Sequence, residues 1–417
     1  MTERPLRIAL LTYRGKPTCG GQGVYVRHLS RELVALGHHV EVLAGPPYPL
    51  VDGPVVLRRL GGLDLFAESN PWPTVPLRDR LSPASRLEYR AMRGGGFGEP
   101  LAFSLRALAY LARHRHRFDL VHDNQGLGYG LLGVPLLGLP LVATIHHPVA
   151  VDRDAEMIDA DERRRLELVR WYGFLHMQSR VVRRLRSVLT VSEASRTSIG
   201  QHFTRPPGRI GVVPLGVDHT VFHPAATIAR IRGRIVTTAS ADVPLKGLIH
   251  LVRALASLPA AELVVVGTPR VDGPVSKEIS NLGLTGRIRF VSGLTDTELA
   301  DLLRSAEVAC VPSLFEGFSL PALEAMACGT PVVATTGGAI PEVTGDAAVL
   351  VSPGDERALT AALARVLADP TLRERLSTAG PRRAAAFTWR ATAERTADHY
   401  TRLLTGTSGA LCPPGAR

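Results

Sequence analysis

The chain of 417 residues has few cysteines and lysines, few aromatic residues and no long uninterrupted hydrophobic run. Its four cysteines are scattered and form no CxxC pair, which argues against a disulfide framework or a zinc site. The longest apolar stretch, residues 131–145, is interrupted by two prolines and two glycines and is too short to span a membrane. The first apolar run, near residue 8, is too short for a secretory signal. We therefore expect a cytoplasmic protein with reduced thiols.

The net charge of +11 is carried almost entirely by arginine, since lysine occurs only at positions 16, 246 and 277. The arginines are dispersed and are not interleaved with aromatic residues, so nucleic acid is not an expected partner. A basic surface attracts polyphosphates and anionic lipids, which makes weak peripheral contact with the inner membrane surface one interpretation. The other interpretation of the charge is a compositional bias toward arginine, and the sequence does not decide between the two.

Two series of short apolar strands alternate with helical segments, and this pattern predicts an α/β fold of two doubly wound, Rossmann-like domains facing a cleft. We expect residues 1–218 as the first domain, with an irregular insertion over about 45–100 that holds one helix near 83–92. Residues 219–388 form the predicted second domain, 389–405 a final helix and 406–417 a disordered tail. The predicted strands are 7–13, 39–44, 119–122, 141–146, 187–192 and 209–216, then 234–240, 262–267, 287–293, 308–313 and 331–336.

The segment SLFEGFSLPALEAMACGTPVVATT, residues 313–336, follows a predicted strand and opens a predicted helix. Ser319 is the expected N-cap, and Pro321 suits the first turn because the amide that it lacks is not needed there. The free amides of the helix start form an anion site. Glu316 precedes this site and Glu324 lies about one turn into the helix. This layout suits a ligand with a diphosphate between two sugars.

Residues 316–343 resemble the signature of the family 4 retaining glycosyltransferases, which have the GT-B fold. Segments 20–43, 143–148, 189–196, 212–224 and 244–255 resemble further parts of the family in the same order. The resemblance implies an enzyme that transfers a sugar from a nucleotide-diphosphate donor to an acceptor hydroxyl with retention of configuration. It also implies that the final helix crosses back to the first domain.

The resemblance assigns roles to individual residues. Glu316 contacts the hydroxyls of the donor sugar, Glu324 binds the ribose, and Lys246 neutralises the diphosphate. His146, rather than its neighbour His147, contacts the donor sugar or the reacting oxygens, and Glu316 and His146 are the expected catalytic residues. Further donor-binding positions lie at the helix start, and a glycine loop in the first domain approaches a phosphate or the acceptor. These positions are Gly317, Phe318, Ser319 and Leu320, and Gly20 and Gly21.

Two positions depart from the family pattern. Ala241 stands where the family has an arginine that neutralises the diphosphate, and Asp242 beside it adds a negative charge unless it points away. The absence of one such cation weakens diphosphate binding by about 1–3 kcal/mol unless another group compensates. Ser319 stands where the family often has glycine, which leaves the amide in place.

The mechanism that the resemblance implies needs no protein nucleophile and no metal. A phosphate oxygen of the donor accepts the proton of the acceptor, while the protein stabilises charge on the diphosphate and on the sugar ring. Asp152 and Asp154 match the DxD metal pattern, but such a short pattern occurs often by chance. We therefore expect no cofactor other than the nucleotide-sugar co-substrate.

Two other functions remain open. Gly21 and Gly23 begin a GxGxxG pattern, but its third position is Val26, and Glu41 lies inside the second strand, so an NAD enzyme is a weak alternative. A non-catalytic sugar-nucleotide-binding protein is the other.

The sequence does not specify the ligands further. The donor base stays open among UDP, GDP and ADP. The acceptor should contact the insertion, where a basic helix suits either an anionic acceptor or solvent. The arginines concerned are Arg78, Arg80, Arg86, Arg90 and Arg93.

Overall fold

The computed structural model describes residues 4–15, 21–64, 82–158, 160–239 and 242–406. The chain folds into two units. The first unit comprises Met1–Val191, Ser195–Pro214 and Trp389–Arg417, and the second comprises Ser192–Ala194 and Leu215–Thr388. The second unit thus resumes at Leu215, near the predicted boundary at 218. No described helix has both the length and the apolar character needed to cross a membrane.

The first unit contains a parallel sheet of seven described strands in the order β3-β2-β1-β4-β5-β6-β7. Its middle strands are buried on both faces, as expected when helices cover a parallel sheet. The strands are β1 Arg7–Thr12, β2 His39–Ala44, β3 Val56–Arg59, β4 Leu120–Asn124, β5 Leu141–Ile145, β6 Ser187–Thr190 and β7 Ile210–Val212.

The second unit contains a parallel sheet of six described strands in the order β10-β9-β8-β11-β12-β13. Each sheet has its own buried aliphatic core, and the predicted fold of two Rossmann-like domains is confirmed. The strands are β8 Ile231–Thr238, β9 Glu262–Val266, β10 Ile288–Val291, β11 Ala306–Val311, β12 Val332–Thr335 and β13 Ala348–Val351.

Helices connect the strands of both sheets. Before residue 215 they are Gly21–Ala35, Pro83–Arg93, Glu99–His114, Ala150–Ile158, Glu162–Trp171, Leu175–Arg184 and Glu193–Phe203. After it they are Leu248–Ala256, Pro274–Asn281, Asp296–Arg304, Leu320–Ala327, Ile340–Thr344, Glu356–Ala368, Pro370–Ala384 and Trp389–Thr405.

The insertion at 45–100 differs from the expectation of an irregular segment. Val56–Arg59 is a strand that pairs in parallel with β2, so this region extends the first sheet. Three of its four residues are exposed and two are arginines, so the strand lacks the continuous apolar run that is typical of a buried parallel strand. The predicted helix is present as Pro83–Arg93. Strand β13, a short strand with partly buried residues, was not predicted from the sequence either.

The final helix, Trp389–Thr405, belongs to the first unit. Trp389 stacks on His28 with ring centroids 4.9 Å apart. The hydroxyl of the fully buried Tyr400 hydrogen-bonds to Nδ1 of His122 on β4. Nε2 of His122 hydrogen-bonds to the Thr144 hydroxyl at 2.7 Å. These contacts attach the end of the chain to the first sheet.

Each sheet has a topological switch point, where successive strands turn to opposite sides. It lies between β1 and β4 in the first sheet and between β8 and β11 in the second. Loops at the carboxyl ends of such strands form the usual ligand sites of open α/β sheets. The loop after β8 leads to Lys246 and the loop after β11 holds Glu316, while Asn124 ends β4 and His146 follows β5.

Candidate active site

The loops after β8 and β11 are in backbone contact. The Leu314 amide donates to the Leu245 carbonyl at 2.7 Å. Gly247 has φ +61°, and a Cβ at this position would lie 2.1 Å from the Pro312 carbonyl oxygen. Only glycine fits there without a shift of the backbone. The glycine of the Lys-Gly pair therefore lets the two loops approach, and this brings Lys246 close to Glu316.

Glu316 and Lys246 form an ion pair in the second unit. Nζ of Lys246 lies 2.9 Å from Oε1 and 3.1 Å from Oε2 of Glu316. The Ser313 hydroxyl also donates to Oε1 at 2.7 Å. Glu316 is only 8% exposed, and a carboxylate this buried requires such donors. Two residues that the sequence assigned to donor binding therefore lie together, with the Lys246 ammonium engaged by Glu316.

The start of the helix Leu320–Ala327 differs from the predicted capping. Ser319 is the N-cap residue but has φ +85°, and its side chain makes no capping hydrogen bond. The expectation that its hydroxyl caps the helix is wrong, because the left-handed backbone conformation differs from the extended one in which serine caps a helix. Pro321 does occupy the first turn.

The other predicted donor-binding residues surround this helix start. The Gly317 carbonyl accepts a hydrogen bond from the Ser192 hydroxyl at 2.6 Å. Phe318 is buried and meets Phe387 edge to face. Within the described residues, no acceptor is recorded for the amides of Phe318, Ser319 and Leu320. Amides at the positive end of a helix are good donors to an anion.

Glu324 lies one turn into the same helix, as predicted. Burial raises the pKa of this carboxyl to about 7, and the nearby charge of Asp296 adds to the shift. Among the described residues no hydrogen-bond donor to its carboxylate is recorded. A carboxyl with this pKa is partly protonated at neutral pH and can both accept from and donate to a sugar hydroxyl.

Position 241 is where the family has an arginine, and the structure describes only its neighbour Asp242. Ala241 lies outside the described residues. The Asp242 carboxylate accepts hydrogen bonds from the Arg270 amide at 2.6 Å and the Val275 amide at 3.4 Å. The Asp242 carboxylate therefore stabilises the loop after β9 through these hydrogen bonds.

In the first unit, His146 is held by the loop that follows β4. Its amide donates to Oε1 of Gln125 at 2.6 Å, and Nε2 of Gln125 donates to the His147 carbonyl at 2.8 Å. Gln125 has φ 54°, a strained conformation for a residue other than glycine. Neither Gln125 nor Asn124 was predicted from the sequence, because their role depends on contacts with His146, about twenty residues further along the chain.

The His146 ring is a neutral hydrogen-bonding group. Nδ2 of Asn124 donates to the Gln22 carbonyl at 3.3 Å, so Oδ1 of Asn124 is the atom 2.7 Å from Nε2 of His146. Nε2 must then carry the proton, which leaves Nδ1 as an acceptor. Burial, with a smaller contribution from His147, lowers the pKa of His146 to about 3. The ring can accept a hydrogen bond from a hydroxyl at any physiological pH.

The ring of His147 has a different partner from that of His146. Its Nε2 lies 2.7 Å from Oδ2 of Asp152, the first residue of the DxD pattern. Asp154, two positions on in the helix Ala150–Ile158, pairs with Arg153. Residues two apart in a helix do not share a face, so the two carboxylates do not converge.

Gly20 lies outside the described residues, whereas Gly21 begins the helix Gly21–Ala35. A Cβ added to Gly21 would meet no atom of the described residues within 4 Å. Arg86, Arg90 and Arg93 lie exposed on the helix Pro83–Arg93, while Arg78 and Arg80 lie outside the described residues.

Comparison with known proteins agrees with these features. Residues 229–383 match the family model described as glycosyl transferases group 1, and residues 19–221 match that of glycosyltransferase family 4. The chain is 49% identical over 408 residues to the MMP alpha-(1->4)-mannosyltransferase of Mycolicibacterium hassiacum, covering 96% of this chain and 98% of the relative. It is 31% identical over 442 residues to the D-inositol 3-phosphate glycosyltransferase of Kineococcus radiotolerans, covering 95% of each.

A solved structure resembles the whole chain. The sucrose-phosphate synthase of Thermosynechococcus elongatus has a TM-score of 0.72 and 26% identity, with 96% of this chain and 99% of that chain covered. The sequence relatives extend over nearly the entire protein and both family models match in the expected order. The chain therefore belongs to the family 4 glycosyltransferases and has the GT-B fold.

Proposed function

We propose that this glycosyltransferase moves a mannosyl group from a nucleotide-diphosphate sugar to a sugar hydroxyl and forms an α-(1→4) linkage with retention, without a metal ion. The observation that carries the proposal is the 49% identity, over 96% of the chain, to a protein named as an α-(1→4)-mannosyltransferase. An α-linked product made from an α-linked nucleotide donor retains the configuration at the reacting carbon.

The second unit offers the groups that such a donor needs. The amides at residues 318–320 provide donors for the diphosphate, and Lys246 provides a cation that is bonded to Glu316. The half-buried Glu324 suits a ribose hydroxyl. In this proposal Glu316 contacts the sugar hydroxyls. The Lys246 ammonium donates hydrogen bonds both to Glu316 and to the diphosphate. Nδ1 of His146, in the first unit, accepts a hydrogen bond from the sugar.

The proposed reaction breaks the bond between the anomeric carbon and the phosphate oxygen, and forms a bond from that carbon to the acceptor oxygen. The proton of the acceptor passes to an oxygen of the leaving diphosphate. The Lys246 ammonium and the amides at residues 318–320 stabilise the negative charge that develops on the diphosphate. No residue of the protein is required to form a covalent intermediate.

A ligand panel tests this proposal in two steps. Thermal shifts with UDP, GDP, ADP and NAD, each with and without its sugar where one exists, identify the donor. At a hundredfold excess over the dissociation constant, stabilisation should reach about 2.7 kcal/mol. Transfer to an α-mannoside is then followed by NMR with EDTA present, because the anomeric C1–H1 coupling reports the configuration and the correlation across the glycosidic oxygen reports the linkage position.

The outcomes separate the candidate functions. Formation of an α-(1→4)-mannoside in EDTA supports the proposal, whereas an inverted product or an absolute need for metal overturns it. A shift with NAD alone favours the dehydrogenase alternative. Nucleotide-sugar binding without transfer to any acceptor favours a binding protein. D-inositol 3-phosphate is included as an acceptor, because a relative carries that name and the helix Pro83–Arg93 exposes three arginines.

The proposed location is cytoplasmic, with weak contact to anionic membranes as a secondary expectation. Each basic residue near an anionic surface contributes about 1 kcal/mol, so binding to vesicles containing phosphatidylserine should fall as salt is raised. Equal recovery with neutral and anionic vesicles would contradict the membrane contact and leave the transfer reaction untouched.

A further inference from the structure

Ser319 combines two unfavourable features. Its φ of +85° lies in the left-handed region, which is strained for any residue with a Cβ. Ser319 is only 2% exposed, yet within the described structure the Ser319 hydroxyl has no hydrogen-bond partner. A buried hydroxyl without a partner gives up its bonds to water and gains none in return. Glycine at this position would remove both costs.

The position of Ser319 points to a reason for these costs. It is the N-cap of the helix Leu320–Ala327, so its short side chain is attached between the amides proposed to bind the diphosphate. A buried polar atom without a partner calls for an explanation, and a ligand bound to the neighbouring amides supplies one. The neighbouring amides are all donors, so a ligand bound beside them offers acceptor atoms, and the hydroxyl can donate to one of them, such as a phosphate oxygen.

Two departures from the family pattern concern the same part of the ligand. Ala241 replaces the arginine that the resemblance places on the diphosphate, and Ser319 replaces a frequent glycine. The first change removes a donor with a positive charge. The second adds a neutral donor beside the helix amides, although it introduces strain. Because this chain lacks the arginine, an additional hydrogen-bond donor to the diphosphate is a function that would explain the strained serine.

We propose that the Ser319 hydroxyl donates a hydrogen bond to the diphosphate of the bound nucleotide and so supplies part of the binding that an arginine at position 241 would provide. This inference rests on the proposed function, because it requires a nucleotide-diphosphate ligand. It adds a hydrogen bond that glycine-containing members of the family lack.

Two variants separate the hydroxyl from the backbone strain. Ser319→Ala removes the hydroxyl and keeps the left-handed residue with a Cβ, whereas Ser319→Gly removes both. Isothermal titration with the nucleoside diphosphate that binds the wild type should show about tenfold weaker binding for both variants. Without ligand, Ser319→Gly should melt at a higher temperature than Ser319→Ala, because only glycine relieves the strain.

Thr237→Val provides a matched control. Thr237 lies on β8 of the same unit, is 2% exposed and also has a buried hydroxyl without a partner in the described structure. Its replacement should leave the dissociation constant of the nucleoside diphosphate unchanged. Binding of the nucleoside without phosphates should be equal in the wild type and in Ser319→Ala.

The inference is overturned if Ser319→Ala binds the nucleoside diphosphate as tightly as the wild type. It is also overturned if the variant weakens the bare nucleoside to the same degree, since the hydroxyl would then act elsewhere. A wild type that binds none of UDP, GDP and ADP contradicts the proposed function itself. The two failures are therefore distinguishable.

Discussion

The candidate groups in the two units differ in their chemistry although both follow parallel strands near a topological switch point. In the first unit, His146 is held by the neutral amides of Asn124 and Gln125, and its own ring is neutral. In the second unit, Glu316 and Lys246 are held by their opposite charges. The same sheet topology thus supports a neutral site and a charged one. We expect salt and pH to act mainly on the second unit.

The largest effect is expected from Glu316→Gln, which removes the charge of the carboxylate and its ion pair with Lys246. If Glu316 interacts with the sugar as charge develops, kcat/KM should fall by about 10²–10³-fold, the range for removing one preorganised polar contact. Steady-state transfer kinetics measure this. Glu374→Gln, an exposed change in the same unit, is the control. A near-normal transfer rate for Glu316→Gln would refute its role.

A smaller effect is expected from Lys246→Ala. This change removes the cation and leaves Glu316 with the Ser313 hydroxyl as its recorded side-chain donor. Affinity for the nucleoside diphosphate should fall by about 10–100-fold, and its dependence on salt should weaken. Titrations at two salt concentrations measure both, with the exposed Lys277→Ala as control. Unchanged affinity and salt dependence would show that Lys246 serves only to hold Glu316.

Asn124→Asp tests whether the first unit depends on a neutral His146. A carboxylate 2.7 Å from Nε2 favours the imidazolium and raises the pKa of His146 from about 3. The wild-type rate should show no His146 titration between about pH 5 and 8, whereas the variant should lose about tenfold in rate as pH falls through the new pKa. Rate profiles against pH measure this, with Asn124→Ala as the uncharged control. Parallel profiles for the wild type and Asn124→Asp would contradict it.

The smallest effect is expected for Glu324→Gln on stability. The pKa of Glu324 is raised to about 7, so between about pH 4.5 and 7 the unfolded chain releases a proton that the folded chain keeps. Stability therefore falls as pH rises through that window, and ionised Glu324 is unfavourable above it. The variant should be stabilised by about 1 kcal/mol at pH 8 and by less at pH 5.

Thermal melts of the ligand-free protein at both pH values, beside Glu374→Gln, measure the effect at Glu324. An equal gain at pH 5 and pH 8 would show that the carboxyl is not desolvated in the folded protein.

Particular residues show how far sequence reasoning reached. The apolar strands that begin at Arg7, His39 and Leu141 were visible because buried parallel strands are short continuous hydrophobic runs. The strand Val56–Arg59 was not predicted because it is mostly exposed and lacks a continuous hydrophobic run. Glu316 and Glu324 were found from the layout of their segment and Lys246 through the family resemblance, and the roles of all three in binding and catalysis remain predictions. Asn124 and Gln125 were missed because their importance depends on contacts with a strand about twenty residues away in sequence.

The sequence by itself determined the class of fold, most of the strands and the membership of the glycosyltransferase family, because these follow from local hydrophobic patterns and from motifs read in order. The tertiary structure alone decided that Lys246 lies against Glu316, that His146 presents Nδ1 as an acceptor, and that the Ser319 hydroxyl is buried in a strained conformation. Such features arise where strands far apart in the chain become neighbours, and a linear pattern does not contain distances, burial or the direction of a hydrogen bond.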